Sequence, residues 1–169
     1  MTARTVDGRV RVVFEDGSWG DADVAETAER VSTIVGEDVT LAREGAVAHH
    51  DAGPVHLITT SSLAWLQRRL PGVVIDRRRF RPNVVLACDG EDLVEEQWVG
   101  RSLVIGSATL TVERRTVRCV TPSLSQQDLA FAPSIPRELE RLNDLCLGMY
   151  ASVATPGRIQ VGDEVHGRD

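Results

Sequence analysis

Residues 103–120 have the sequence LVIGSATLTVERRTVRCV, and this stretch decides the fold class. Apolar and β-branched residues fall in three short runs, at 103–105, 110–112 and 117–120, with a turn at Gly106. Runs of this length and composition predict strands. Because similar runs continue to the C-terminus around further glycine and proline turns, we expect a barrel or sandwich. The prediction is an α+β chain, mostly β, with a partly closed β-barrel and about three helices.

The sequence before this stretch predicts two of those helices. Asp23 and Glu26 have the spacing of a capping box, and the helix that they open ends near Val35 and Gly36. The run at 60–62 can cap a second helix, which stops at the proline and glycine of residues 71–72. A third helix is expected at about 134–145. The remaining predicted strands are at 9–14, 39–41, 55–59, 84–86, 150–153, 158–161 and 162–165.

The composition describes one globular domain of 169 residues with 42% hydrophobic side chains. We expect a single domain over 1–169, in which about 1–50 is a divergent, shortened N-terminal part and about 55–165 is the core. The net charge of -6 argues against a nucleic-acid partner, which needs a positive field. No apolar run approaches the roughly 20 residues that span a bilayer, and no signal-peptide core follows Met1. We therefore predict a cytoplasmic protein with no membrane partner.

The three cysteines, Cys88, Cys119 and Cys146, form no CxxC pair, which argues against a zinc knuckle or a disulfide framework. Cys119 follows three arginines within residues 114–118, and nearby positive charge lowers the pKa of a thiol. An ionised thiol is a nucleophile, a persulfide carrier or a soft ligand for a transition metal. From the residues alone, the more frequent alternative is a small buried side chain on a strand. We interpret Cys88 and Cys146 as packing residues.

A second candidate site is the basic run at 77–83, with the sequence RRRFRPN. Guanidinium groups bind phosphate through paired hydrogen bonds, so the run could hold an anionic ligand. The alternative is a solvated basic loop. The sequence at 49–51, His-His-Asp, favours a plain loop over a metal site, because adjacent histidines on an extended strand point in opposite directions. His56 is expected to be a hydrogen-bonded core histidine.

Five segments together resemble the MOSC family, which is named for the molybdenum cofactor sulfurase C-terminal domain. The order and spacing of the segments match standalone bacterial members from about Val55 to Val165. The resemblance implies a β-barrel that binds molybdenum cofactor, a pterin-dithiolene that holds molybdenum, or handles sulfur for it. The five segments are RFRPNVV at 79–85, WVGRSLVIG at 98–106, TVRCV at 116–120, LGMYA at 147–151 and PGRIQVGD at 156–163.

The resemblance implies that Cys119 is the catalytic residue, as a molybdenum ligand or a sulfur-carrying thiol. It also implies an oxidoreductase that acts on N-hydroxylated or similar small molecules, with electrons from a separate redox protein. Two alternatives stay open: a sulfur carrier that uses a Cys119 persulfide and a separate sulfur donor, and a degenerate domain without catalysis. The basic N-terminal stretch of cofactor-binding relatives has no counterpart here, which favours the alternatives. The residues that the resemblance places around the cofactor are Arg79, Arg81, Asn83, Thr116, Arg118 and Tyr150.

Overall fold

The structure is a computed structural model that describes residues 1–43, 45–46 and 52–168. These residues form three α-helices and nine strands, which confirms the α+β, mostly β prediction. In none of these helices do length and hydropathy reach what a membrane span requires. The elements in chain order are β1 (Thr2–Val6), β2 (Arg9–Val13), β3 (Trp19–Asp21), α1 (Ala25–Val35), β4 (Val55–Thr59), α2 (Thr60–Arg69), β5 (Val84–Leu86), β6 (Ser102–Ile105), β7 (Ala108–Val117), α3 (Ser134–Asn143), β8 (Cys146–Thr155) and β9 (Val165–Arg168).

The chain divides into two compact units, Met1–His49 and His50–Asp169. The first unit is an antiparallel sheet, β1-β2-β3, with α1, and its small core is built around Val12, Phe14 and Val31. Several details of this unit differ from the sequence prediction. Strands β1 and β3 have no counterpart among the predicted strands. The helix begins at Ala25 without a side-chain cap, so the expected capping box does not form. Residues 39–41 form no strand, although Val39 and Leu41 pack against the core.

The second unit is a six-stranded sheet with the order β5-β4-β8-β7-β6-β9, curled into a half-barrel. Only the β4–β5 pair is parallel. Because strand residues alternate between faces, Leu57 and Ile58 enter two different cores. The first core lies against β6, β7 and β8. The second lies under α2 and α3, where Leu66, Leu139 and Leu147 are fully buried.

Several predicted boundaries move by a few residues in the second unit. The cap of α2 is Thr59, whose side chain accepts a hydrogen bond from the Ser62 amide. The third helix ends at Asn143 rather than at residue 145. No strand forms over 158–161, and the last strand begins at Val165. These corrections leave the order of the elements unchanged.

The end of β7 matters most for the site, because the predicted strand at 117–120 stops at Val117. The Arg118 amide then donates to the Leu145 carbonyl at 2.8 Å, and a 3-10 helix follows at Thr121–Ser123. In a continuing strand Arg118 and Cys119 would face opposite sides of the sheet. The early stop removes that restriction and places both residues in a loop, residues 118–124, which lies beyond the end of β7 and contains this 3-10 helix.

Candidate functional site

The structure brings together the two basic segments that the sequence singled out, residues 77–83 and the 118–124 loop. The Arg118 guanidinium donates through Nη2 to the Phe80 carbonyl at 2.8 Å, across 38 positions of sequence. The 3-10 helix Arg77–Arg79 packs against the 3-10 helix Thr121–Ser123. The segments that carry the predicted anion-binding residues and the predicted reactive cysteine are therefore neighbours in the second unit.

Arg79 connects these segments through the hydrogen bonds of its buried side chain. Its side chain is buried, and its guanidinium donates to the carbonyls of Val74 at 2.9 Å and Ala130 at 2.8 Å. Further bonds reach the carbonyls of Pro122 and Leu124 at 3.2 and 3.4 Å. All three nitrogens of this guanidinium therefore donate hydrogen bonds to backbone carbonyl oxygens. Arg79 therefore supports the site from within, and the prediction that it contacts a cofactor stays a prediction.

Arg81 has the opposite environment, although it lies only two residues further along. It is exposed, and its backbone has a positive φ of 51°, which turns the chain sharply between Phe80 and Pro82. Within residues 1–43, 45–46 and 52–168 its guanidinium has no ion pair and no hydrogen bond. A guanidinium in this state can bind an anion without first giving up a protein partner.

His56 connects three of the predicted site residues. Its amide donates to Oδ1 of Asn83 at 2.7 Å, and the Asn83 amide donates to the His56 carbonyl at 2.8 Å. Its Nε2 lies 3.3 Å from Nη1 of Arg118. Tyr150 is its partner in the β4–β8 ladder, with ring centroids 5.8 Å apart. Sequence reasoning identified a hydrogen-bonded core histidine but missed that it links Asn83, Arg118 and Tyr150.

The charge state of His56 follows from its surroundings. Burial, and then the positive charge of Arg118, lower its pKa from 6.5 to about 4, so the ring is neutral at pH 7. A guanidinium can only donate hydrogen bonds. Nε2 is therefore the acceptor, and the ring proton is on Nδ1.

Cys119 is exposed, and its Sγ lies 3.1 Å from Oγ1 of Thr121. Hydrogen bonds from the side chain and backbone of Thr121 lower the pKa of this thiol, with a smaller contribution from the charge of Arg118. The sequence analysis attributed the effect to three arginines. Only one of them acts, because Arg115 is bound to Glu96 at 3.1 Å and Arg114 lies over the Tyr150 ring.

The other two thiols differ from Cys119 in the direction of their pKa shift. Burial raises the pKa of Cys146, which is enclosed beneath α3, and of Cys88, where the charges of Glu95 and Asp89 add to the effect. Among the three thiols, only that of Cys119 is both exposed and easier to ionise than usual. This difference supports its selection as the reactive cysteine.

Thr116 is a buried residue on β7, two positions before Arg118. Its hydroxyl has no hydrogen-bond partner in the part of the chain that the structure describes. A buried polar atom without a partner is uncommon and usually marks a water or ligand position. Thr116 is therefore a predicted site residue with a buried polar group that has no partner among the described residues.

A cleft of about 1320 Å³ opens between the edge strands β5 and β9. Arg77, Arg81 and Asn83 line one part of it, and Leu103 and Ile105 contribute to an apolar wall. Arg101, which the sequence analysis overlooked, also lines the cleft. Like Arg77 and Arg81, it has no ion pair among the described residues. Cys119, Thr116, Arg118 and Tyr150 are not part of the cleft lining.

Within the described ranges no three His, Cys, Asp or Glu side chains cluster so that they could hold a metal ion. The histidines and aspartate at 49–51, which the sequence analysis interpreted as a loop, lie outside these ranges.

The fold and this surface define a class of protein: a curled β-sheet domain that presents one exposed, easily ionised thiol beside a cationic segment. A family model for the MOSC domain matches residues 44–166, and the chain belongs to the MOSC domain family.

Two curated relatives match the chain. It is 31% identical over 134 residues to mitochondrial amidoxime reducing component 2 of Rattus norvegicus. It is 28% identical over 133 residues to mitochondrial amidoxime-reducing component 1 of Mus musculus. Each alignment covers 71% of this chain and 38% of the relative. The chain thus spans about two fifths of the length of these relatives.

Proposed function

We propose that this chain binds molybdenum cofactor at the surface formed by residues 79–83 and Arg118–Cys119, and that it acts as an oxidoreductase on N-hydroxylated small molecules. The observation that carries the proposal is the exposed, easily ionised Cys119 thiol next to Arg118, which is bonded to the Arg-Pro-Asn segment. Membership of the MOSC domain family supports the cofactor. The relatives named for reducing amidoximes, which carry an N–OH group, support the substrate class.

The residues present fit such a cofactor by their chemistry. A thiolate is a ligand that soft transition metals prefer, and Cys119 supplies it. The free guanidinium of Arg81 and the amide nitrogen of Asn83, which has no hydrogen-bond partner among the described residues, suit a phosphate. The Thr116 hydroxyl is a further polar group without a partner.

In this proposal Cys119 ligates the metal. Arg81, Asn83 and Arg118 hold the pterin and its phosphate, and Thr116 and Tyr150 flank them. When bound, the cofactor supplies two-electron chemistry that removes oxygen from an N–OH substrate. The chain holds the thiol ionised through Thr121 and orients Arg118 through the Phe80 carbonyl and His56. A separate redox protein delivers the electrons.

A sulfur-carrier function is the second candidate, because the Cys119 thiol is exposed and easily ionised without any metal. A thiolate in this state can accept sulfur from a donor protein as a persulfide and present it to an acceptor. This function needs access to Sγ. It does not need Arg81 or Asn83.

The test is metal and sulfur analysis of the full chain purified from a host that makes molybdenum cofactor. We expect close to one molybdenum atom per chain, lost in Cys119→Ala and retained in the matched control Cys88→Ala. The loaded chain should also reduce an amidoxime when a reduced viologen dye supplies electrons. Cyanide-releasable sulfur on Cys119 without molybdenum would favour the sulfur carrier. If the chain carries neither molybdenum nor releasable sulfur, both proposed functions are wrong.

A further inference from the structure

We infer that His56 is a positioning residue, whose ring accepts a hydrogen bond from Arg118 and thereby aims the Arg118 guanidinium at a bound anion. The inference rests on the proposed function, since it assumes that Arg118 contacts the anionic part of a ligand. It adds a residue that lies outside the five segments of the family resemblance.

The first support is that the Arg118 side chain is held at two nitrogens by two different elements. Nη1 lies 3.3 Å from Nε2 of His56 on β4, and Nη2 donates to the Phe80 carbonyl at 2.8 Å. A guanidinium is planar and its N–H groups have a fixed geometry. Fixing two of its nitrogens therefore fixes the orientation of the guanidinium plane.

The second support is that His56 itself is locked in place. Its backbone exchanges two hydrogen bonds with Asn83, at 2.7 and 2.8 Å, and its side chain is buried. The Tyr150 ring packs at an angle of 54° to the imidazole. An acceptor held this firmly can define the position of a longer, more flexible side chain such as Arg118.

The third support is the space that Gly148 leaves for the ring. Gly148 has a positive φ of 80°, and a Cβ added there would lie 2.5 Å from Nε2 of His56. The clash would fall on the atom that accepts the bond from Arg118. The absence of a side chain at residue 148 therefore keeps the acceptor atom in reach of Arg118.

The protonation state agrees with an acceptor role. Burial and the Arg118 charge lower the His56 pKa to about 4, so Nε2 keeps its lone pair at neutral pH. Among the described residues, Arg118 and Tyr150 contact the ring, and Arg114 lies over the Tyr150 ring. The charge of Arg118 disfavours a positive charge on the imidazole, and together with burial it outweighs the backbone of Leu147, Arg81 and Phe80, which favours that charge.

The test uses the full-length chain, inorganic phosphate as the probe, and two variants of similar size. His56→Gln keeps a side-chain acceptor, and His56→Leu removes it. Phosphate affinity is followed by NMR shifts of ¹⁵N-labelled protein, with Arg137→Gln, an exposed arginine on α3, as the control. We expect His56→Leu to weaken phosphate binding about fivefold, the effect of one hydrogen bond, and His56→Gln to remain within about twofold of the unmodified chain.

The outcomes separate the inference from the proposed function. If the unmodified chain does not bind phosphate, or if Arg118→Gln leaves the affinity unchanged, the proposed anion site is wrong and the inference falls with it. If Arg118→Gln weakens binding but His56→Leu does not, only the positioning role is wrong. If His56→Gln is as weak as His56→Leu, the ring does not act as an acceptor.

A readout on the unmodified chain keeps the inference testable even if His56→Leu does not fold. The ¹⁵N spectrum of the His56 ring should show an unprotonated Nε2 and a protonated Nδ1 at pH 7. A protonated Nε2 would contradict the inference directly.

Discussion

The 77–83 segment has an inner and an outer side, and the arginines on the two sides differ in burial and in hydrogen bonding. On the inner side, Arg79 is buried and donates to four backbone carbonyls. On the outer side, Arg81 is exposed and lines the cleft without an ion pair among the described residues. The comparison shows that two arginines of one basic run have different environments: Arg79 binds backbone carbonyls, whereas Arg81 stays exposed in the cleft.

The largest expected effect comes from breaking the inner side. Arg79→Leu should lower the free energy of unfolding by about 3 kcal/mol or more, because several buried carbonyls lose their donor at once. Urea denaturation measures it. Arg81→Leu is the matched control and should change stability by less than about 0.5 kcal/mol. Equal losses for the two variants would show that the two sides do not differ as described.

A second effect on stability is expected at His56, whose backbone is bonded to Asn83 and whose ring contacts Arg118. The His56 pKa is lowered from 6.5 to about 4 in the folded chain, so the unfolded chain binds the proton more tightly. The stability from the neutral ring is complete above pH 6.5 and is lost as the pH falls towards 4. The loss should be on the order of 3 kcal/mol. Stability measured against pH should show this slope in the unmodified chain but not in His56→Gln; the same slope in both would contradict the assignment.

A smaller effect is expected on the reactivity of the Cys119 thiol. Thr121→Val removes the hydroxyl that does most to lower the Cys119 pKa while keeping the size of the side chain. Iodoacetamide should then modify Cys119 at least about threefold more slowly at pH 7. Mass spectrometry of the labelled peptides gives the rate, with Cys88 as the internal reference. An unchanged rate would mean that Thr121 does not control the thiol.

The sequence predicted the elements whose signals are local. Val55–Thr59 is rich in β-branched residues and is followed by capping side chains, so both the strand and the helix after it were expected. Trp19–Asp21 was missed because a three-residue strand with a central glycine carries no strand pattern. The strand at 39–41 was predicted from composition alone, but its backbone has no neighbouring strand with which to pair.

The site was predictable at the level of segments and less so at the level of single side chains. The motifs identified residues 79–83 and Cys119, and in the structure Arg118, the neighbour of Cys119, is bonded to the Phe80 carbonyl. Nothing in the sequence distinguishes Arg79 from Arg81, because burial of Arg79 depends on carbonyls of residues 122–130 that arrive from another part of the chain. The Thr121 hydroxyl and the His56–Arg118 contact are likewise set by tertiary structure. A threonine two residues after a cysteine was the one signal that could have been used.

We propose that the outer side of the 77–83 segment holds the cofactor, while its inner side stabilises the fold. The most direct measurement is the molybdenum content of Arg81→Gln, purified from the cofactor-producing host together with the unmodified chain. The account predicts a folded variant of normal stability with clearly less bound molybdenum. A folded variant that carries as much molybdenum as the unmodified chain would contradict it.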